Sequence, residues 1–160
     1  MVMKVEPVYR AIQTIHLLVK RYTRKKRRVL LMSAKGKPFT QADAKRLAQY
    51  QQITIICPRY EGVDERVMEY IDEEISIGNY VLTGGELPAM IIVDAIARLL
   101  PGVLGKDESS HDESHSEEGV LEYPQYTRPE VFRKKSVPKE LMNGNHKDIE
   151  AWRKKMKKSS

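Results

Sequence analysis

The chain has 160 residues, 41% of them apolar and 31% charged, and a formal net charge of +6. That length suits one domain with its own core, and that apolar share excludes wholesale disorder. No apolar run is long enough to span a bilayer, and a single cysteine, Cys57, excludes an internal disulfide framework.

The first residues, Met1 to Pro7, carry no long apolar stretch after the first charge, so no signal peptide is read there and a cytoplasmic location is expected. Val8, Ala11, Ile12, Ile15, Leu18 and Val19 recur at helical spacing, which predicts a helix over 7–21. The basic block Lys20, Arg21, Arg24, Lys25, Lys26, Arg27 and Arg28 offers no apolar stripe and ends it. A second block, Lys154, Lys155, Lys157 and Lys158, lies near the C-terminus. Both blocks suit RNA phosphates; from charge alone, a solvated helix end and a frayed tail are equally open readings.

Val29 to Met32 reads as a buried parallel strand, with Gly36 and Pro38 marking a loop after it. Thr40 is placed to cap a helix over 41–49. Ile53 to Cys57 is the next buried strand, and Cys57 within it reads as a structural thiol rather than a nucleophile. Strand, helix, strand in succession predicts an α/β fold with a parallel sheet flanked by helices. Pro58 to Gly62 forms a loop and 63–70 a short helix. Asp72 to Ile75 leads into a glycine-bearing run, 76–85, followed by an amphipathic helix over 86–99 that stops at Pro101 and Gly102. Residues 106–118 hold no apolar side chain and are expected to form a mobile loop. Residues 120–132 read as extended and turn-rich, and Asn145 or His146 opens a last helix carrying Ile149 and Trp152.

Gly62, Gly78, Gly84, Gly85, Gly102 and Gly105 fall at the ends of predicted elements, where ligands approach backbone in α/β sheets. On their own they are better explained as ordinary turn glycines. Neither a G-x-G-x-x-G run nor a P-loop is present, so dinucleotide and nucleoside triphosphate readings lack support. His111-Asp112-Glu113-Ser114-His115 nearly matches H-E-x-x-H, but Asp112 occupies the glutamate position and the surroundings are not an amphipathic helix, so a zinc hydrolase is the weaker reading.

Four segments carry a more specific signal: Pro58 to Val67, Glu74 to Met90, Pro101 to Gly105, and Tyr123 to Pro129, with Asn143 to His146 and Trp152-Arg153 after them. In order and over nearly the whole chain they resemble the bacterial tRNA (guanine-N1)-methyltransferases of the trefoil-knot class. The resemblance implies an α/β domain over 1–160 with a deep C-terminal trefoil knot, a homodimer built through the first helix and the helix near 86–99, and tRNA as partner. It implies S-adenosylmethionine bent in a knotted pocket, at positions matching Met32, Ser33, Tyr60, Glu61, Gly62, Ser76, Ile77, Gly78, Tyr80, Leu82, Gly84, Gly85 and Pro88.

For catalysis it implies Glu113 as the base that takes the N1 proton of guanine, with Asp112 as the alternative if the register shifts, and Arg98 as the group that stabilises charge on O6. Glu61 and Glu122 match acidic positions linked to magnesium. The chain departs from the family at His115, Gln125 and Ala34, where phenylalanine, histidine and proline are usual. The family also extends before Met1 and continues into a helical tRNA-gripping domain, so a central fragment, or a mis-started and shortened reading frame, is expected. The rival reading is a non-catalytic RNA- or donor-binding remnant.

Overall fold

The computed structural model describes residues 1–19, 23–103, 114 and 120–159. The chain divides into two compact units, Met1–Gly105 and Lys106–Ser160.

The first unit is built on a three-stranded parallel sheet of order β2-β1-β3, formed by β1 (Arg27–Pro38), β2 (Gln52–Ile56) and β3 (Glu73–Ser76). Helices α1 (Val5–Leu18), α2 (Gln41–Leu47) and α3 (Glu86–Ala97) flank it. Strand geometry sends alternate side chains to opposite faces. Leu30 and Met32 of β1 therefore join Ile75, Ala44 and Leu47 of α2, and Ala89, Ile92 and Ile96 of α3 in one core. Val29 faces the other way and meets Val8 and Ile12 of α1, with Val67. Leu30, Leu47 and Ile92 are fully buried, each contributing about 1.5–3 kcal/mol relative to exposure.

The helix over 41–49 is observed as Gln41–Leu47, and its start follows from a reciprocal cap. Thr40 Oγ1 accepts from Asp43 N, and Asp43 Oδ2 accepts from Thr40 N. Burial pushes the Asp43 carboxyl up, but hydrogen bonds from Lys37, Arg46 and Thr40 outweigh it and hold its pKa at about 2. The segment 63–70 is a 3₁₀ helix, Glu65–Tyr70, capped by Asp64.

Two expectations are corrected. Gly36 and Pro38 do not mark a loop: β1 runs on to Pro38. It pairs with β3 up to Met32↔Ile75, shifts register, and rejoins at Lys37↔Ile75 and Pro38↔Ser76. Such an irregularity accommodates Pro38, which has no N–H for a regular ladder. Gly36 permits the return because a Cβ there would sit 2.6 Å from Ile75 N. The basic block is also not all a solvated helix end. Arg28 enters β1, where its guanidinium lies 4.4 Å from the Tyr50 ring centre and its Nε 3.6 Å from Glu73. Lys20 and Arg21 lie outside the described residues.

The second unit holds β4 (Val120–Leu121), β5 (Val131–Phe132), β6 (Lys135–Ser136), α4 (His146–Met156) and β7 (Lys158–Ser159). The C-terminal end is paired, not frayed: β7 runs antiparallel to β4. Asn145 caps α4 by accepting from Lys147 N at 3.1 Å. Trp152 is buried edge-on against Tyr123 and Tyr126. No helix among the described residues is long and apolar enough to cross a membrane.

Candidate functional site

At the C-terminal end of β3, where ligands bind in open α/β sheets, and beside the irregular stretch of β1 after Met32, the first unit carries a cleft of about 500 Å³. That volume lies in the range of small-molecule sites. Three segments make it: the irregular stretch of β1 after Met32, the turn at 58–62, and the run 76–85 before α3.

The two loops, 58–62 and 76–85, are cross-tied. Gly85 N donates to Pro58 O at 2.8 Å, Arg59 pairs as a bridge with Gly84, and Arg59 Nε meets Glu86 Oε1 at 2.8 Å. The Glu86 carboxyl is held below its ordinary range by its own backbone N–H and then by Arg59. The 58–62 turn is stapled to the first residues: Glu61 N donates to Met1 O, Met3 N to Gly62 O, and Asp64 N to Met3 O, all within 3.1 Å. That staple holds Tyr60 at φ 62°, a left-handed conformation unusual for a non-glycine residue; such strain concentrates at functional sites. Ser76 locks the third segment, its hydroxyl donating to Gly78 O at 2.9 Å and accepting from Gly78 N at 3.2 Å.

All thirteen positions that the family resemblance assigned to the methyl donor line this one cleft: Met32, Ser33, Tyr60, Glu61, Gly62, Ser76, Ile77, Gly78, Tyr80, Leu82, Gly84, Gly85 and Pro88. The walls also contain residues the sequence did not single out, notably Lys35, Glu65, Glu74 and Thr83. Lys35 Nζ reaches Glu65 at 3.0 Å and Glu74 at 4.0 Å, and the hydrogen bond it donates to Glu65, with Glu74 nearby, raises the Lys35 pKa. Glu74 Oε1 is buried with no hydrogen-bond donor among the described residues. The cleft lining carries three carboxylates, Glu61, Glu65 and Glu74, and one ammonium, Lys35, so its charged residues sum to an acidic lining within a basic chain.

Cys57 lies behind Gly85, outside the cleft wall. Burial, then the charge of Glu86, pushes its thiol pKa up, which disfavours the thiolate and fits the structural reading.

Arg98 is half-buried at the end of α3. Glu113, Asp112, His111 and His115 lie outside the described residues. Glu61 belongs to the first unit and Glu122 to the second, where Glu122 accepts from Gln125. Among the described residues no group of three His, Cys, Asp or Glu side chains is placed to hold a metal ion, so the magnesium assignment draws no support from them.

The family described as tRNA (guanine-1)-methyltransferase TrmD matches residues 1–160. The chain belongs to this family. It is 51% identical over 158 residues to a tRNA (guanine-N(1)-)-methyltransferase of Heliobacterium modesticaldum, covering 97% of this chain and 57% of that protein. It is 51% identical over 158 residues to the one of Staphylococcus carnosus, covering 98% of this chain and 62% of that protein. With the one of Syntrophomonas wolfei it shares 57% identity over 127 residues, 79% of this chain and 52% of that protein. The chain therefore spans about half to three-fifths of the length of these TrmD relatives.

Proposed function

We propose that this chain carries the donor-binding part of a tRNA (guanine-N1)-methyltransferase, moving a methyl group from S-adenosylmethionine to N1 of the guanosine just 3′ of the anticodon. The observation that carries this reading is the convergence of the thirteen donor positions on one acidic, loop-walled cleft. An acidic lining favours a cationic adenosine derivative and disfavours nucleoside phosphates. Glu74, whose buried Oε1 accepts no hydrogen bond and has Lys35 Nζ only at 4.0 Å, suits a positively charged tail. When bound, S-adenosylmethionine supplies an electrophilic methyl on a sulfonium.

The chain's own residues then have defined tasks. The loops 58–62 and 76–85 offer backbone N–H and C=O groups to an adenosine, held close by the Gly85–Pro58 and Ser76–Gly78 hydrogen bonds. N1 of guanine is protonated at neutral pH and needs a base; Glu113 takes that proton by the family correspondence, with Asp112 as the alternative. Arg98 places a fixed positive charge where O6 gains negative charge. No step is assigned to magnesium.

The trefoil knot, threaded near the cross-tied loops, belongs to the same reading, as does one methyltransferase domain comprising both units. The homodimer draws support from α3, which leaves Leu87, Met90, Ile91 and Val93 at least half exposed while burying Ala89, Ile92 and Ile96. An apolar face of that extent suits a second copy.

Equilibrium dialysis with labelled S-adenosylmethionine, followed by methyl transfer to a tRNA transcript, tests the proposal. One-site binding with transfer to N1 is expected. Binding without transfer favours the non-catalytic remnant, and no binding overturns the donor reading.

A further inference from the structure

The second unit presents a feature that the methyl-donor site does not use. Residues Val131 to Ser136 form a hairpin whose strands pair as Val131↔Ser136 and Phe132↔Lys135, closed by a two-residue loop, Arg133-Lys134. Both loop residues have positive φ, 46° and 68°. That is the type I′ pattern, which strongly prefers Asn-Gly or Asp-Gly. Here two long cationic side chains occupy it despite the backbone strain. Every residue of the hairpin is exposed, and Phe132 is 63% exposed.

Cross-strand partners share a face. Phe132 and Lys135 therefore lie side by side on one face. The Arg133 guanidinium carbon lies 5.6 Å from the centre of the Phe132 ring. An exposed aromatic ring is thus flanked by one cation from the turn and one from the partner strand. Among the described residues no carboxylate forms an ion pair with Arg133, Lys134 or Lys135. A solvent-exposed ring beside unneutralised cations is the arrangement that receives single-stranded nucleic acid: a base stacks on the ring and its phosphates meet the charges.

We infer that the 131–136 hairpin is an RNA-contacting element that stacks one unpaired base on Phe132 and holds adjacent phosphates with Arg133, Lys134 and Lys135. The inference rests on the tRNA reading above and deepens it by naming a contact surface apart from the donor cleft. Asn-Gly at the loop would relieve the backbone strain and lose two phosphate contacts.

The turn supplies its own control. In the 160-residue chain, the double variant Arg133→Asn, Lys134→Gly installs the preferred turn residues while deleting both cations, so its melting temperature should rise or hold while its RNA binding falls. Binding is read by fluorescence anisotropy of an end-labelled oligouridylate and of a fully paired RNA hairpin, across a salt series. For the oligouridylate, the slope of log K against log salt should fall by about 1.4, from two lost contacts at about 0.7 each on single strands. Phe132→Ala should weaken the oligouridylate by about five-fold or more, with little effect on the paired hairpin.

Parental affinity and salt slope in the double variant would overturn the inference. So would unchanged single-strand binding in Phe132→Ala, no oligouridylate binding by the parent chain, or a change in sedimenting mass in place of RNA affinity, which would make the face a self-contact. Dialysis of S-adenosylmethionine against the same samples keeps the two readings apart: failure of the donor reading shows there, and failure of the hairpin shows only in the RNA titrations.

Discussion

Gly85 and Cys57 approach so closely that a Cβ on Gly85 would lie 2.7 Å from the Cys57 Cα, and 2.8–2.9 Å from Pro58 Cδ and N. The end of β2 and the start of α3 are thereby fixed against each other, and the cleft wall depends on that contact. Gly85→Ala places a methyl against backbone that cannot rotate away. A loss of about 1–3 kcal/mol is expected, as for other overpacked sites, together with weakened donor binding. Urea denaturation and dialysis on one preparation check both; a parental midpoint with parental binding would show that the wall tolerates the methyl.

Asp43 ties the acid stability of α2 to its ion pairs with Lys37 and Arg46, at 2.9 and 3.1 Å. Its folded pKa of about 2 lies below the ordinary 3.8. A depressed carboxylate pKa stabilises the fold above the ordinary value and loses that contribution as pH falls through the folded value. Asp43→Asn should therefore be less stable than the parent at pH 6, and the gap should narrow as pH falls from about 4 to about 2. Thr40→Ala removes the other half of the cap and should cost about 1 kcal/mol. Urea melts at a series of pH values measure both, and a pH-independent gap for Asp43→Asn would contradict the ion-pair account.

The exposed side of α3 predicts self-association. Met90 is 66% exposed and Val93 54%. Met90→Glu puts a charge on that face without touching the core residues Ala89, Ile92 and Ile96. Sedimentation velocity should show a dimer for the parent chain and a shift toward monomer for the variant, with an unchanged far-ultraviolet circular dichroism spectrum. A parent that stays monomeric at high concentration would remove the dimer from the account.

For the chemistry, Glu113→Gln keeps the shape of the side chain and removes its basicity. Donor binding should persist while methyl transfer falls by a factor of about a hundred or more, the usual scale for losing a general base. Arg98→Lys keeps the charge but not the planar fork, and should lower turnover more than donor affinity. Single-turnover transfer alongside dialysis separates the two effects; parental transfer by Glu113→Gln would move the base to Asp112.

Much of this was legible in the sequence because its signals are local. The apolar runs at Val29 and Ile53, the Thr40 cap and the helix at 86–97 announce themselves in a few adjacent residues. The glycine-bearing segments and their family resemblance located the walls of the cleft. What escaped is tertiary. The register shift that carries β1 to Pro38 arises from β3 lying beside Gly36. The Lys35–Glu65–Glu74 cluster joins residues far apart in the chain, so no spacing announces it. The Arg133-Lys134 turn was unreadable for the opposite reason: its residues are not those such turns prefer, and only the paired strands reveal it.

Hydrogen–deuterium exchange with and without saturating S-adenosylmethionine tests the central claim most directly. Protection should concentrate in the amides of 58–62 and 76–85, with the second unit's hairpin unaffected by the donor. Saturable binding that leaves those two loops exchanging at their unliganded rates would place the methyl donor elsewhere and contradict the account.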